Sequence, residues 1–166
     1  MARTSAGYSA SRLMSPANSD KESPSARRSA RRLIESGGSE RKESAGRAHA
    51  VAAACNDLYR GLSRWVGPDG CHAVFTRALA QARAGSASLD QIRLRPGADP
   101  YIEGVEESIM SHGDSEVADD LESMLVQIVE LLERLVGADM TTKLIERIIA
   151  ALGSGDATSN DRREEA

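Results

Sequence analysis

Leu121–Leu152, LESMLVQIVELLERLVGADMTTKLIERIIAAL, is the stretch whose reading decides the fold. At about 100° per residue, Leu121, Met124, Leu125, Ile128, Val129, Leu131, Leu132, Leu135 and Val136 fall within an arc of roughly 160°. Glu122, Ser123, Gln127, Glu130, Glu133 and Arg134 fill the opposite side, and only Val126 strays. An arc that wide suits a helix touching more than one neighbour. Gly137 follows the last periodic residue, where a left-handed residue commonly ends a helix. Asp139 is placed to cap the next helix, whose stripe is Leu144, Ile145, Ile148, Ile149 and Leu152, ended by Gly153 and Gly155. Helix, tight turn and helix make an αα-hairpin or a helix-turn-helix.

Seventy residues upstream lies a fainter copy. A helix is predicted from about Ala48 to Val66, with Val51, Cys55, Leu58, Tyr59, Leu62, Trp65 and Val66 on one face. Gly67-Pro68-Asp69-Gly70 breaks it, and a second helix follows near Cys71–Arg83. Laid over the first stretch, Leu62 meets Leu132, Arg64 meets Arg134 and Val66 meets Val136. Gly67 meets Gly137, Asp69 meets Asp139, Arg77 meets Arg147 and Ala80 meets Ala150. Seven of twenty-five positions agree, where average composition gives about two. Internal duplication is one reading. The other is that any two helix–Gly–Asp–helix units converge on this grammar.

Between the copies, Leu89, Ile92 and Leu94 are placed to tack a connector onto the core, and Pro96-Gly97 turns it. Asp99-Pro100 reads as a helix start, with an N-cap followed by proline at N1, and Ile102, Val105 and Ile109 continue it. The expected fold is all-α: two helix-turn-helix hairpins forming one small bundle over residues 48–152. Residues 1–47 and 153–166 are expected to lack stable structure, since they carry no sustained apolar period. Within the first of these, Ser25–Leu33 is at most briefly helical, and Ser29 beside its arginines is a conceivable kinase site.

Charge divides the chain. Met1–Arg47 holds ten Lys and Arg against five Asp and Glu, while the remainder holds eleven against twenty. An acidic body argues against strong phosphate binding, which depends on cations that displace counterions. Aromatics are only 3% of the residues, which favours aliphatic helix packing over a β-sandwich. No run approaches about 18 uninterrupted apolar residues, and no signal-peptide core stands at the start. The acid-free first nineteen residues read as an unordered tail or a transit peptide. Cys55 and Cys71 would lie about 18 Å apart along one hairpin, too far for a disulfide, so a reducing, cytoplasmic setting is expected.

Chemistry-bearing signals are sparse. No phosphate-binding glycine loop, zinc-protease motif, nucleophile elbow or C-x-x-C is present. Asp69-Gly-Cys-His72 gathers a carboxylate, a thiol and an imidazole at a helix start, where a thiol pKa is lowered, but no second cluster supplies further ligands. The acids from Glu103 to Glu122 lack the alternating grammar of a calcium loop. His72 is followed by Ala-Val-Phe-Thr rather than the H-x-x-K-G context of a phosphotransfer histidine. The helix Met140–Leu152 sets Lys143 and Arg147 against Glu146, a poor recognition helix for DNA.

The expectation is therefore a non-catalytic regulatory or adaptor module, without cofactor or metal. It would bind a protein partner or a second copy, with nucleic acid disfavoured and no membrane contact. The alternative is a DNA-binding regulator using one hairpin and the basic tail. Because a small bundle struggles to cover a 160° stripe, Met124, Val126 and Leu131 are the residues expected to stay exposed and meet the partner.

Overall fold

In the computed structural model, which describes residues 23–37 and 46–155, six helices follow one another. They are α1 (Pro24–Ser36), α2 (Arg47–Val66), α3 (Pro68–Gly85), α4 (Val105–His112), α5 (Asp114–Val136) and α6 (Ala138–Gly155). Between α3 and α4 lie a 3₁₀ turn (Ala87–Leu89) and two short antiparallel strands, β1 (Arg93–Leu94) and β2 (Ile102–Glu103). The fold is all-α, as the periodicity predicts, and both hairpins form. Among the described residues, no helix is long and apolar enough to cross a membrane.

Three junctions, α2–α3, α4–α5 and α5–α6, consist of a single glycine each. Gly67 has φ 79° and ψ 157°, and Gly113 and Gly137 both have φ 89° and ψ 152°, a region essentially closed to residues with a Cβ. Each glycine serves two helices. The N–H of Gly113 donates to the Ile109 carbonyl and that of Gly137 to the Glu133 carbonyl, at 2.8 and 2.9 Å. Their own carbonyls, and that of Gly67, accept the first bond of the following helix. This corrects the capping role expected of Asp139, and the aligned Asp69 stands in the same way. Both sit inside the first turn of their helices, where negative charge suits the helix dipole but the capping position is already the glycine. The same junction at Gly113, outside the matched stretches, shows that the glycine grammar follows from turn geometry and does not by itself require duplication.

α2 and α5 start together. The Asp114 carboxylate, in the first turn of α5, accepts the backbone N–H groups of Arg47 and Ala48 at 3.0 and 3.1 Å, satisfying two donors that the start of α2 leaves unpaired. Arg47 adds ion pairs to Asp119 and Glu122 at 2.5 and 2.8 Å, and these bonds raise its pKa further. From this shared end α2 and α5 run side by side. Each then turns back, so that α3 packs on α5 and α6 packs on α2. Leu58, Leu62, Phe75, Leu121, Leu125, Ile128 and Ile145 fill the space between them, fully buried.

The connector is pinned at several points. Leu89 and Ile92 are fully buried and Leu94 packs against the core, as expected of them. Tyr101 stacks on Tyr59 with ring centroids 3.6 Å apart, and Phe75 stands edge-on to both rings. The buried Asn56 Oδ1 accepts the Ile102 N–H at 2.9 Å. Ser86 and Ser88 both donate to the Asp120 carboxylate, and the Arg83 guanidinium caps the carbonyls of Leu89 and Ile92. The expected helix at Pro100 does not form there. Residues 102 and 103 pair with β1 instead, and α4 begins only at Val105, after Gly104 in a left-handed conformation.

A second correction concerns the basic segment. Pro24–Ser36 is a full helix, in place of the unordered chain expected, and it packs on α2, α5 and α6. Ala26, Ala30 and Leu33 are buried at spacings of four and three, a narrow stripe of small residues that a search for large apolar side chains passes over. Ser23 N–H and Ser25 Oγ donate to Glu130 and Glu133 at 2.6 and 2.9 Å, and Arg32 pairs with Glu146 at 3.3 Å. Ser29 is buried in this contact, so a kinase would reach it only after α1 lifts away. Residues 1–22, 38–45 and 156–166, and the expectations made for them, lie outside the described residues.

Gly61 lets α6 approach α2. A Cβ there would overlap Cγ1 and Cδ1 of Ile148. At an offset of seventy the corresponding pair is Leu131 and Ala78, with the large and small residues exchanged. Gly61→Ala should therefore destabilise by about 1–2 kcal/mol, the overpacking cost less the gain in helix propensity. Adding Ile148→Val should recover part of that loss in urea titrations; equal losses with and without it would show that the close approach is not the cause.

Candidate interaction surface

The structure does not leave Met124, Val126 and Leu131 at the surface. They are 0, 4 and 8% exposed. The wide stripe of α5 is covered because five helices, α1, α2, α3, α4 and α6, and the 3₁₀ turn all pack around it. Val126, the stray residue, faces a cleft whose other wall is Pro24, Arg27, Arg28 and Arg31 of α1.

The cluster at the start of α3 is also dispersed. Cys71 is buried, and its thiol points at the Tyr59 carbonyl at 3.7 Å. Burial pushes its pKa up to about 11, and that of Cys55 up to about 12, the reverse of what an activated thiol requires. Both cysteines are free. The imidazole Nδ1 of His72 meets the Tyr101 hydroxyl at 2.7 Å, while Asp69 stays exposed. Burial also raises the Tyr101 pKa. Among the described residues, no group of three or more His, Cys, Asp or Glu is placed to hold a metal ion.

What the surface does present is a pair of grooves near the Gly67 and Gly137 ends of the hairpins. The larger, about 540 Å³, runs between α2 and α6 and is lined by Gly61, Arg64, Trp65, Arg147, Ile148 and Leu152, with Asp57, Arg60 and Ala151 completing the wall. The smaller, about 290 Å³, runs between α3 and α5 and is lined by Ala73, Val74, Arg77, Leu131, Arg134 and Leu135. At an offset of seventy, Gly61 corresponds to Leu131, Arg64 to Arg134, Trp65 to Leu135 and Arg147 to Arg77. In each groove these corresponding positions thus set one large, exposed apolar side chain, Trp65 or Leu135, beside two guanidiniums, and Arg60 adds a third in the larger. Trp65 is 57% exposed and Leu135 68%, and the Arg147 guanidinium lies over the Trp65 ring, 5.2 Å from its centroid.

Helical periodicity assigned Trp65 and Leu135 to buried faces. They escape because each stands two residues before its junction glycine, where the chain turns away before a neighbour can cover it. The signal was present as a repeated tetrapeptide, Arg64-Trp-Val-Gly67 and Arg134-Leu-Val-Gly137. Trp and Arg are also the side chains that most often dominate binding energies at protein interfaces.

The chain matches no protein-family model, no curated protein and no solved structure.

Proposed function

We propose that this is a non-catalytic protein-binding module that engages its partner through the α2–α6 groove. The observation that carries the reading is the exposed Trp65 ring beside Arg147 and Arg64, next to the apolar side chains of Ile148 and Leu152. A half-exposed tryptophan held by a cation keeps an apolar area ready for burial with little loss of side-chain freedom, which favours association. The two buried thiols and the dispersed Asp69, Cys71 and His72 supply no reactive group in its place. We also read the two hairpins as copies of one ancestral unit, on the strength of the four position pairs that line both grooves.

The test is site-specific photo-crosslinking from Ala151, with the crosslinked peptides mapped by mass spectrometry. A protein crosslinked at Ala151, and lost with Trp65→Ala or with Arg64→Ala/Arg147→Ala, is the expected result. Crosslinking that both variants leave unchanged would overturn the reading.

DNA contact is a second reading, and one observation favours it. Arg27, Arg28, Arg31 and Arg32 are all exposed on α1. Against it, Arg32 is paired with Glu146, and the cleft beside α1 also contains Asp119 and Glu122. Binding to duplex DNA that weakens steeply with salt would decide for it.

A further inference from the structure

We propose that the α2–α6 groove is filled by the outer face of α4 from a second copy of this chain, joining molecules head to tail. The inference rests on that groove being a protein-binding site and names its occupant. Met110 is 80% exposed, the most exposed large apolar residue among those described. Glu106 and Glu107 precede it by four and three positions, so all three share one side of the helix, and both carboxylates are exposed. Among the described residues, neither glutamate has an ion-pair partner.

The groove offers the complementary set. Arg60 is already held by Asp57 and Asp99, at 3.4 and 2.6 Å. Arg64 and Arg147 have no ion-pair partner among the described residues, and the Trp65 ring lies between helices that leave room beside it. Two carboxylates thus face two guanidiniums, the pairing with the most specific geometry among protein ion pairs. The Met110 thioether meets the indole, a favourable sulfur–aromatic contact.

The contact must join different molecules. Glu106 and Glu107 line a cleft with His49, Ala52, Ala53 and Asn56 of α2, while Trp65 stands near the far end of that helix, nine or more residues on and so about 14 Å or more away. The two surfaces are also different patches, so the association is heterologous and extends or closes into a ring rather than stopping at a symmetric pair.

Trp65 is the only tryptophan in the chain, so its emission reports directly on the groove. Sedimentation across a dilution series at low salt, with emission followed in parallel, is the test. The average mass should rise past that of a dimer with concentration, the emission should shift to the blue, and added salt should reverse both. Arg64→Glu/Arg147→Glu and Glu106→Lys/Glu107→Lys should each weaken association at least tenfold with circular dichroism unchanged, and mixing the two variants should restore it. A wild-type chain monomeric at every soluble concentration overturns the head-to-tail contact, even where crosslinking from Ala151 finds a different protein and upholds the groove. Association that persists in both variants, or variants that do not complement, overturns it too.

Discussion

Leu62→Asp and Leu132→Asp are each expected to remove about 4 kcal/mol or more of folding stability. Both leucines are buried, at 1 and 3% exposure, at corresponding positions of α2 and α5, the two helices that run side by side through the core. Each change deletes an aliphatic side chain, worth about 2–5 kcal/mol for a truncation to alanine. It also forces a carboxylate into a site with no cation to receive it. Against a typical total of about 5–15 kcal/mol, either change leaves the protein close to unfolded. Urea titrations followed by circular dichroism should show both midpoints falling by similar amounts. A large loss at Leu132 with a small one at Leu62 would make α2 and α3 a peripheral hairpin and refute the two-hairpin core.

Gly104→Ala should cost about 3 kcal/mol or more. Gly104 has φ 85° and ψ 9°, left-handed backbone, and a Cβ there would overlap the carbonyl oxygen of Gln91. Backbone oxygen cannot swing aside as a side chain can, so the strain of the conformation and of the overlap add. The displaced element would be β2 together with the start of α4, which should appear as faster amide exchange at Ile102 and Ser108. Gly70→Ala is the control, since nothing lies within 4 Å of a Cβ there and its φ is not positive. That change should leave stability level or raise it by about 0.4–1 kcal/mol. Equal losses at Gly104 and Gly70 would rule out the close approach to Gln91 as the cause.

Much of the architecture was legible because large aliphatic residues recur at helical spacing between glycines. Leu121 to Val136 and Leu144 to Leu152 mark α5 and α6, and Leu58 and Leu62 mark α2, by the same physics that buries them. α1 was not legible, because its buried stripe is Ala26, Ser29, Ala30 and Leu33, and alanine and serine carry little hydrophobic signal. That omission displaced the candidate site as well. Without α1 the stripe of α5 is wider than its other neighbours can cover, which is why periodicity alone places Met124, Val126 and Leu131 at the surface. The residues left in the open, Trp65, Leu135 and Met110, are set by where helices stop and what reaches past them. Helical period is blind to that.

The single-glycine junctions have one more consequence. Their backbone conformation belongs to glycine, whereas the helices on either side are built from residues content to continue a helix. At Gly137 one backbone conformation separates a hairpin from a straight rod. Were that residue helical, Asp114–Gly155 would become one uninterrupted helix of 42 residues, about 63 Å long. Its two halves could then fold only by borrowing neighbours from another molecule. The folding of each hairpin back onto its own chain is in that sense written into three hydrogen atoms, the side chains of Gly67, Gly113 and Gly137.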